Sequence, residues 1–344
     1  MAATQLKPCL VLLLTFSLLA FASAISRNRI KSLNQIKEVN RKGPYIGLIT
    51  VIATEEDAFF ASGSFKPDPK FPFIDLSGRR FRFGVVRGRK VVYVRCGEGM
   101  TNAVAATQQM VDLFDIKGII HFGIAGNTNN SMSIGDVTIP NQIAHTGLWE
   151  WLNTNGTLDS ADVAQLEIGD YNVPKGNGTN LLGHIGYMEE EYYSVAGEPN
   201  VAESLLWANI SLQWLQLASN LEGMKLEQCV NSSLCLTEKP KLVVGLRAST
   251  SNIFLDNAAY RDFLFQKFGV SSADMESAGV AMNDGMWMQT SLSNGYPVIV
   301  IRGLSDLAGN QEGDNVVSKF GGLAAVNSVK AVLGFIRNLP PITR

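Results

Sequence analysis

The chain has 344 residues, of which 46% are hydrophobic and 17% charged, and its formal net charge is −2 at pH 7. This composition excludes a disordered chain and a small disulfide-stapled fold, and at roughly 100–200 residues per domain the length fits one large domain or two small ones. The near balance of 29 basic and 31 acidic residues argues against a nucleic-acid partner, because phosphate contacts demand a basic surface.

The amino terminus has the pattern of a secretory signal peptide. Lys7 precedes an apolar run from Cys9 to Phe21, and Ala22-Ser23-Ala24 forms an A-x-A cleavage site. A membrane anchor is the alternative, but the run is shorter than the roughly 20 residues that a spanning helix needs. We therefore expect residues 1–24 to be removed on entry to the secretory pathway, without a stable membrane anchor.

The next part of the chain alternates predicted strands and helices. Residues 25–43 are polar and basic and form an N-terminal extension, and the apolar run Tyr45–Ile52 is typical of a strand buried on both faces. Then follow a hairpin of two alternating strands (Arg80–Phe83 and Val91–Val94), a helix (Thr101–Phe114) and a second buried strand (Gly118–Ile124). A strand, a helix and a strand in this order favour an α/β fold with a mainly parallel sheet.

The pattern weakens at about residues 150–238, where glycine and asparagine are frequent and one helix is predicted around Ala202–Leu221. Regular order then resumes, with strands at Lys241–Leu246 and Pro297–Arg302 and helices at Asn257–Phe268, Met275–Met288 and Gly321–Ile336. We therefore predict a single domain over residues 44–340 that carries residues 150–238 as an insert. An independent second domain is the alternative.

Glycosylation and disulfide signals cluster in and near this insert. Sequons of the N-x-S/T type occur at five positions: Asn129, Asn155, Asn177, Asn209 and Asn231. Behind a signal peptide, such a cluster indicates a glycosylated, exposed segment. Cys229 and Cys235 flank a short polar turn and are predicted to form a disulfide in an oxidising compartment, with two unpaired thiols as the alternative. Cys96 ends a predicted strand and is interpreted as a buried small hydrophobe.

Acidic and glycine-rich segments follow the predicted strands. Glu55, Glu56 and Asp57 come after the first strand, Gly123-Ile124-Ala125-Gly126 ends the second, Asp274-Met275-Glu276 opens a helix, and Ser305-Asp306 follows the last strand. Because ligands in open α/β sheets bind beyond the carboxyl ends of parallel strands, we expect these segments to converge on one site. Converging carboxylates suit a cationic transition state or a hydroxyl-rich ligand.

Each of these residues also has a purely structural interpretation. The first three acids suit the first turn of a helix, where the helix dipole favours them, and Asp274 suits an N-cap. Asp306 suits a turn cap, and His121, within an apolar strand, suits a core position. With three histidines and neither a C-x-x-C nor an H-E-x-x-H motif, the chain is expected to hold no metal and no cofactor.

The order and spacing of these segments resemble the nucleoside phosphorylase/nucleosidase superfamily, which includes methylthioadenosine/S-adenosylhomocysteine nucleosidase. The similar segments are Ile46-Gly47-Leu48-Ile49, Cys96–Ala103 (family S-G-x-G-x-x-x-A), Gly123–Gly126 (G-S-A-G), Ala273–Ala278 (V-E-M-E-x-A) and Arg302–Ala308 (R-x-x-S-D-x-A). The last two, about 30 residues apart, are the most specific. With the signal peptide and the sequon-rich insert, the chain is most similar to the plant bark and vegetative storage proteins of this superfamily.

The resemblance implies a fold, a ligand and a location. The fold would be a three-layer α/β sandwich whose central, twisted, mainly parallel (mixed) sheet is flanked by helices. The partner would be a purine nucleoside or purine base, and the protein a homo-oligomer in the cell wall, extracellular space or vacuole. Glu276 would bind the ribose hydroxyls with Met275 against the sugar, and Asp306, steadied by Ser305, would protonate purine N7. Ser251, Asn252 and Ile253 would lie near the base.

Three positions depart from the family pattern. The glutamate that activates water in the nucleosidases aligns with Asp57, with Glu56 one register away, and the serine beside the nucleophile is replaced by Ile124. The arginine that binds phosphate in the phosphorylases is replaced by His121, which disfavours phosphorolysis.

Two hypotheses from different classes follow. One is a secreted or vacuolar nucleosidase that hydrolyses a purine nucleoside to base and ribose, and the other is a storage protein that retains nucleoside binding with little or no catalysis. Glu276 and Asp306 favour the first, whereas Asp57 and Ile124 favour the second. A secreted interaction module has only the sequon-rich insert in its favour.

Overall fold

The apolar runs of the sequence build one mixed β-sheet, to which helices pack on both faces. In the computed structural model, residues 30–153, 164–167, 183–195, 197–282, 295–309 and 316–341 are described. The predicted signal peptide and the sequons at Asn155 and Asn177 lie outside these residues.

The strands, in chain order, are β1 (Tyr45–Thr50), β2 (Phe65–Pro67), β3 (Phe73–Leu76), β4 (Arg79–Val86), β5 (Arg89–Arg95), β6 (Ile116–Asn127), β7 (Val137–Ile139), β8 (Gln142–His145), β9 (Trp149–Leu152), β10 (Ala164–Glu167), β11 (His184–Tyr187), β12 (Glu190–Tyr192), β13 (Glu203–Leu205), β14 (Trp207–Asn209), β15 (Cys229–Asn231), β16 (Leu234–Cys235), β17 (Leu242–Val244), β18 (Arg247–Thr250), β19 (Val270–Asp274) and β20 (Val298–Leu307). The helices are α1 (30–40), α2 (Ala53–Ala61), α3 (Met100–Leu113), α4 (Leu212–Ser219), α5 (Ala258–Phe268), α6 (Ser277–Met282) and α7 (Val317–Asn338).

The main sheet follows the order β14-β8-β18-β19-β6-β1-β5-β4-β2, with β3, β7, β17 and β20 paired off this path. In its middle, β1 runs parallel to β5 and β6, and β6 runs parallel to β20. The margins are antiparallel, at β4–β5 and β2–β4 on one side and at β14–β8 on the other. The expected α/β architecture is confirmed, with a sheet that is mixed.

Helices cover both faces of this sheet. Gly303 of β20 faces α7, while its neighbour Arg302 points to the opposite face and bonds Ser277 at the start of α6. Helix α2 contacts α7, and α3 contacts α6, which gives two helical layers around the sheet. Among the described residues, α7 is the helix that is long and apolar enough to cross a membrane. In this fold it is a core helix, and 61% of its most apolar part is buried.

Several predicted elements outside the insert match the structure closely. Helix α3 begins one residue before the predicted start, the hairpin β4–β5 turns at Arg87-Gly88 as expected, and the Asn257 side chain caps α5 by accepting from the Tyr260 amide. The predicted N-terminal extension contains α1, which buries Ile36 and Val39 in the core.

Other elements differ from the prediction, and the short strands β2, β3, β7 and β8 were not predicted. The helix predicted at Ala202–Leu221 covers only Leu212–Ser219, because the preceding residues form β13 and β14. Strand β19 was missed, since its serine-rich sequence VSSAD lacks an apolar run although it is largely buried in the sheet. The helix predicted at Met275–Met288 begins at Ser277, and its residues beyond Met282 lie outside the described part.

The insert forms its own small sheets. Strands β10, β11 and β9 form one antiparallel sheet, and β12 and β13 form a hairpin. The disulfide Cys229–Cys235 closes the exposed turn between β15 and β16. Asn209 and Asn231 are exposed, as a glycosylated asparagine requires, whereas Asn129 is buried and its amide donates to Ser271 Oγ at 3.0 Å. In the folded chain, Asn129 therefore has no room for a glycan.

The approach of α7 to β20 depends on the missing side chain of Gly303. A Cβ there would overlap the backbone oxygen of Ala324 and lie 2.7 Å from its carbonyl carbon. We predict that Gly303→Ala lowers the free energy of unfolding by about 1–3 kcal/mol, because the rigid helix backbone must shift. Gly322→Ala is the matched control, since its Cβ would meet no atom within 4 Å. Urea unfolding midpoints measure both variants, and equal midpoints would contradict this packing argument.

Candidate active site

One cavity of about 430 Å³ lies at the carboxyl ends of the central strands. It is lined by the segments that follow β1, β5, β18 and β19. The ends of β6 and β20 and the first residue of α7 complete its wall. Its lining residues are Val51, Ile52, Glu55, Glu98, Ile124, Ala125, Gly126, Ile253, Phe254, Leu255, Ala273, Asp274, Met275, Glu276, Ser305, Asp306 and Val317. Four predicted segments therefore converge on one site.

A fully buried guanidinium organises the carboxylates of this site. Arg302 Nε donates to Asp274 Oδ2 at 2.9 Å, and Nη2 lies 3.5 Å from Glu276 Oε2. Its Nη1 lies 3.8 Å from Glu55 Oε1 and has no hydrogen-bond partner among the described residues. One cation thus faces three carboxylates.

Asp274 is the carboxylate bound most firmly to this cation. It also accepts from the Thr250 hydroxyl at 2.6 Å and from the Ser277 amide at 2.9 Å and hydroxyl. Burial alone would raise its pKa, but the Arg302 charge and these hydrogen bonds hold the pKa below its usual value. Asp274 lines the cavity, yet its oxygens are occupied, so its role is to fix Arg302 and the start of α6.

Glu276 faces the cavity with weaker compensation. Its Oε1 accepts from the Gly99 amide at 2.8 Å, at the N-terminus of α3, where Gly99 has a φ of +87°. Burial raises the pKa of Glu276 to about 7, because neither Arg302 nor the Gly99 amide fully offsets the lost hydration. This carboxyl group therefore changes charge near neutral pH.

Glu55 is the acidic residue that the first loop places in the cavity. It is 2% exposed, Oε2 accepts from the Val51 amide at 2.6 Å, and Oε1 accepts from the Ile124 amide at 2.8 Å. Burial raises its pKa despite Arg302 and these amides. Gly123 makes the approach possible, since a Cβ at that position would overlap Glu55 Oε1.

The prediction of Asp57 and Glu56 at this position is corrected by this geometry. Asp57 is exposed, and Glu56 points to the surface, where it pairs with Arg95 at 3.1 Å and Arg82 at 3.7 Å. Neither lines the cavity. Successive residues of a helix differ by about 100° in direction, so three adjacent acids in α2 enter three environments.

A β-bulge directs Asp306 into the cavity. In the pairing of β20 with β6, Leu304 faces Ala125 and Asp306 faces Gly126, which leaves Ser305 as the extra residue. The Ser305 hydroxyl lies 2.6 Å from Asp306 Oδ1 and 3.2 Å from the Ala125 carbonyl. Bulges re-aim side chains next to active sites, and this one holds Asp306 at 3% exposure.

His121 is neutral and tied to Arg302. Its Nδ1 lies 3.2 Å from the Ile49 carbonyl, and its Nε2 lies 2.6 Å from Arg302 Nη2. Burial and the neighbouring Arg302 charge lower the pKa of His121 to about 3. The arrangement therefore requires a proton on Nδ1, donated to Ile49, and an Nε2 that accepts from Arg302.

The residues predicted near the base are only partly in the cavity. Ile253 lines it, together with Phe254 and Leu255, which were missed. Asn252 supports the site indirectly, because its Oδ1 accepts from the Met100 amide at 2.9 Å, and the Ser251 amide bonds the Asp274 carbonyl at 3.0 Å.

Among the described residues, Cys96 is the cysteine outside the disulfide, and it lies next to the cavity. Burial raises the pKa of Cys96 to about 12, so the thiol stays protonated beside the cavity. Within the described ranges, no group of three or more His, Cys, Asp or Glu side chains is arranged to hold a metal ion.

Comparison with known proteins identifies relatives over most of the chain. The family model described as the phosphorylase superfamily matches residues 45–337. Bark storage protein A of Populus deltoides is 35% identical over 297 residues, which cover 86% of this chain and 89% of that protein. The 5'-methylthioadenosine/S-adenosylhomocysteine nucleosidase of an Exiguobacterium strain is 23% identical over 265 residues, 77% of this chain and 88% of that one.

A solved structure supports the fold. The Helicobacter pylori 5'-methylthioadenosine/S-adenosylhomocysteine nucleosidase, crystallised with butyl-thio-DADMe-Immucillin-A, has a TM-score of 0.57 to this chain. It is 17% identical, and the match covers 86% of this chain and 98% of the nucleosidase.

The raised pKa of Glu276 predicts a specific pH dependence of stability. The folded state favours the protonated carboxyl group of Glu276. Its contribution to the free energy of unfolding is therefore fully present below the usual pKa of 4.5 and is lost as the pH rises through about 7. Relative to Glu276→Gln, which is always neutral, the wild type should lose up to roughly 3 kcal/mol of unfolding free energy between pH 5 and 8.

Urea unfolding of both proteins across this range measures the difference. Asp57→Asn is the control, because it removes an exposed carboxylate outside the cavity and leaves Glu276 in place. Its unfolding free energy should therefore fall with pH as that of the wild type does. A constant difference between wild type and Glu276→Gln from pH 5 to 8 would refute the assignment.

Proposed function

The chain belongs to the phosphorylase superfamily, and we propose that it binds a purine nucleoside in this cavity and hydrolyses the bond between base and ribose. The observation that carries the proposal is that Glu55, Glu276 and Asp306 all line one cavity. Each carboxyl group supplies one of the three functions that such a hydrolysis needs.

Asp306 is assigned to the base. Cleavage of the N-glycosidic bond leaves the bonding electrons on the purine, which departs more easily when its N7 is protonated. Asp306 would supply that proton, with Ser305 holding one carboxyl oxygen at 2.6 Å. Ile253 and Phe254 offer apolar contact to the ring.

Glu276 is assigned to the ribose. A carboxylate that accepts hydrogen bonds from ribose hydroxyls binds more strongly as the ring becomes a cationic oxocarbenium ion, which is differential binding of the transition state. The nearby Met275 also lines the cavity and suits the apolar face of the sugar. Because Glu276 ionises near neutral pH, the site gains this charge in the physiological range.

Glu55 and Arg302 are assigned to the attacking water. Among the described residues, Arg302 Nη1 is a buried donor with no hydrogen-bond partner, 3.8 Å from Glu55 Oε1, and a water between the two groups would satisfy it. Glu55 would take a proton as the water oxygen bonds to the ribose carbon. The products are free purine and ribose.

Water rather than phosphate is the nucleophile that these residues favour. Phosphate needs a free cationic partner, whereas His121 is neutral and Arg302 is already shared among carboxylates. Three buried carboxyl groups would also repel a phosphate dianion.

The hydrolysis is tested by base release from a panel of purine nucleosides, with and without phosphate. We predict phosphate-independent release, reduced about 10²–10⁴-fold by Glu55→Gln and by Asp306→Asn, because each removes a proton-transfer group. Asp57→Asn is the control and should change the rate less than twofold, since its side chain lies outside the cavity.

The bark storage relative gives the second candidate function, a storage protein that retains the nucleoside site. Calorimetric titration with adenine and with nucleosides separates the two. Binding without base release would support storage, absence of both would contradict both functions, and phosphate-dependent release would contradict hydrolysis.

We also infer that the chain enters the secretory pathway through residues 1–24. The exposed Cys229–Cys235 disulfide suits an oxidising compartment, and a plant storage relative is compatible with this route. Mass spectrometry of the purified protein should find an N-terminus at Ile25. A chain that still begins at Met1 would contradict the processing.

A further inference from the structure

Charge is strongly segregated along this nearly neutral chain. Residues 30–95 contain 13 Lys or Arg and six Asp or Glu, whereas residues 183–224 contain six Glu and no Lys or Arg. The net charge of −2 therefore hides a basic segment and an acidic segment.

Four cations of the basic segment lie at or near one edge of the main sheet. Lys66 of edge strand β2, Val85 of β4 and Lys90 of β5 lie side by side in register, and all three are exposed. Arg87 is exposed at the turn between β4 and β5. Lys90 also bonds the backbone oxygen of Lys42. We call Lys42, Lys66, Arg87 and Lys90 the basic edge.

Of the ion pairs that the carboxylates of this segment form in the described part of the chain, one, Asp68 with Lys42, involves a residue of this edge. The other carboxylates are mostly paired elsewhere: Glu38 with Arg41, Glu56 with Arg82 and Arg95, and Asp75 with Arg80. Asp68 pairs with Lys42 at 2.7 Å. In the part of the chain that the structure describes, Lys66, Arg87 and Lys90 form no ion pair.

The acidic segment contains the hairpin β12–β13. Glu189, Glu191 and Glu198 are exposed on it, and we call these three residues the acidic hairpin. Glu190 fixes the hairpin to the sheet, because its Oε2 lies 2.7 Å from Nδ1 of His145 at the end of β8.

The two charged surfaces belong to opposite margins of one sheet. In the strand order, β2 is the last strand on one side, and β8 and β14 end the other side. Opposite charges at opposite margins cannot meet within one copy, but they match between two copies placed head to tail.

We propose that the basic edge of one copy docks on the acidic hairpin of a second copy. The contact joins two different surfaces, so it is heterologous, and repeating it extends a chain of copies unless the rotation closes a ring. Charge complementarity within the one sequence makes a second copy the fitting occupant.

The strength of this association is set by exposed ion pairs. Each contributes about 0–1 kcal/mol and is screened over a Debye length of about 10 Å at 0.1 M salt. The association is therefore weak, reversible and strongest at low ionic strength. Lys66 and Pro67 on β2 also prevent strand pairing at this edge, which directs contacts to side chains.

Static light scattering tests the proposal through the sign of the second virial coefficient. A net-negative protein with evenly spread charge repels itself at low salt, and added salt reduces that repulsion. Matching surfaces reverse the trend: the coefficient should be negative at about 10 mM salt and rise towards zero or above by about 300 mM. A positive coefficient that falls with salt would overturn the proposal.

Charge-reversal variants identify the surfaces. Lys66→Glu/Lys90→Glu alone should lose the attraction at low salt, because the basic edge then has two positive and two negative side chains. Glu189→Lys/Glu191→Lys alone should lose it too, because the acidic hairpin then has two positive side chains and one negative. An equimolar mixture of the two should regain it, since each variant complements the other. Base release or circular dichroism confirms that both variants are folded.

Other outcomes count against a second copy as the occupant. Attraction that survives either double variant, or that the mixture does not restore, overturns the proposal. So does a wild type that shows no self-attraction but binds polygalacturonate through the basic edge, because the partner would then be an acidic polymer.

Discussion

The site depends on a single buried cation shared among several carboxylates. Arg302 is fully buried, and moving a charge out of water is costly unless partners compensate it. Asp274 supplies most of that compensation, so Glu55 and Glu276 share what remains and keep raised pKa values. Because Arg302 stabilises the three carboxylates unequally, Asp274 is ionised and structural, whereas Glu55 and Glu276 are able to exchange protons.

Glu55 and Glu276 reach these positions because two glycines let the backbone come close to their carboxyl groups. Gly123 lets Glu55 reach the Ile124 amide, and Gly99, with a φ of +87°, brings its own amide at the N-cap of α3 to Glu276. On β20, the bulge at Ser305 turns Asp306 towards the same cavity. The charged side chains are therefore held by backbone groups of the sheet and of the start of α3.

The elements and the site were not equally predictable from the sequence. Apolar runs such as Tyr45–Ile52 predict buried strands well, because burial on both faces needs continuous apolar side chains. From the sequence, Glu55, Glu56 and Asp57 were placed near the site, but the inward position was assigned to Asp57 or Glu56. The three acids are chemically alike, and only the start of α2 decides which one points inward. Strand β19 was missed because its serines are buried by pairing with β18 and β6, a tertiary effect that no local pattern contains.

The replacement of the family serine by Ile124 looks more disruptive in the sequence than it is in the structure. Ile124 fixes Glu55 through its backbone amide at 2.8 Å, and every residue except proline carries that donor. Isoleucine lacks the side-chain hydroxyl of the family serine, while Arg302 Nη1 remains as a donor beside Glu55. Position 124 tolerates an apolar side chain because its backbone amide holds the Glu55 carboxylate. Arg302 acts through its guanidinium group, so its side chain cannot be replaced in the same way.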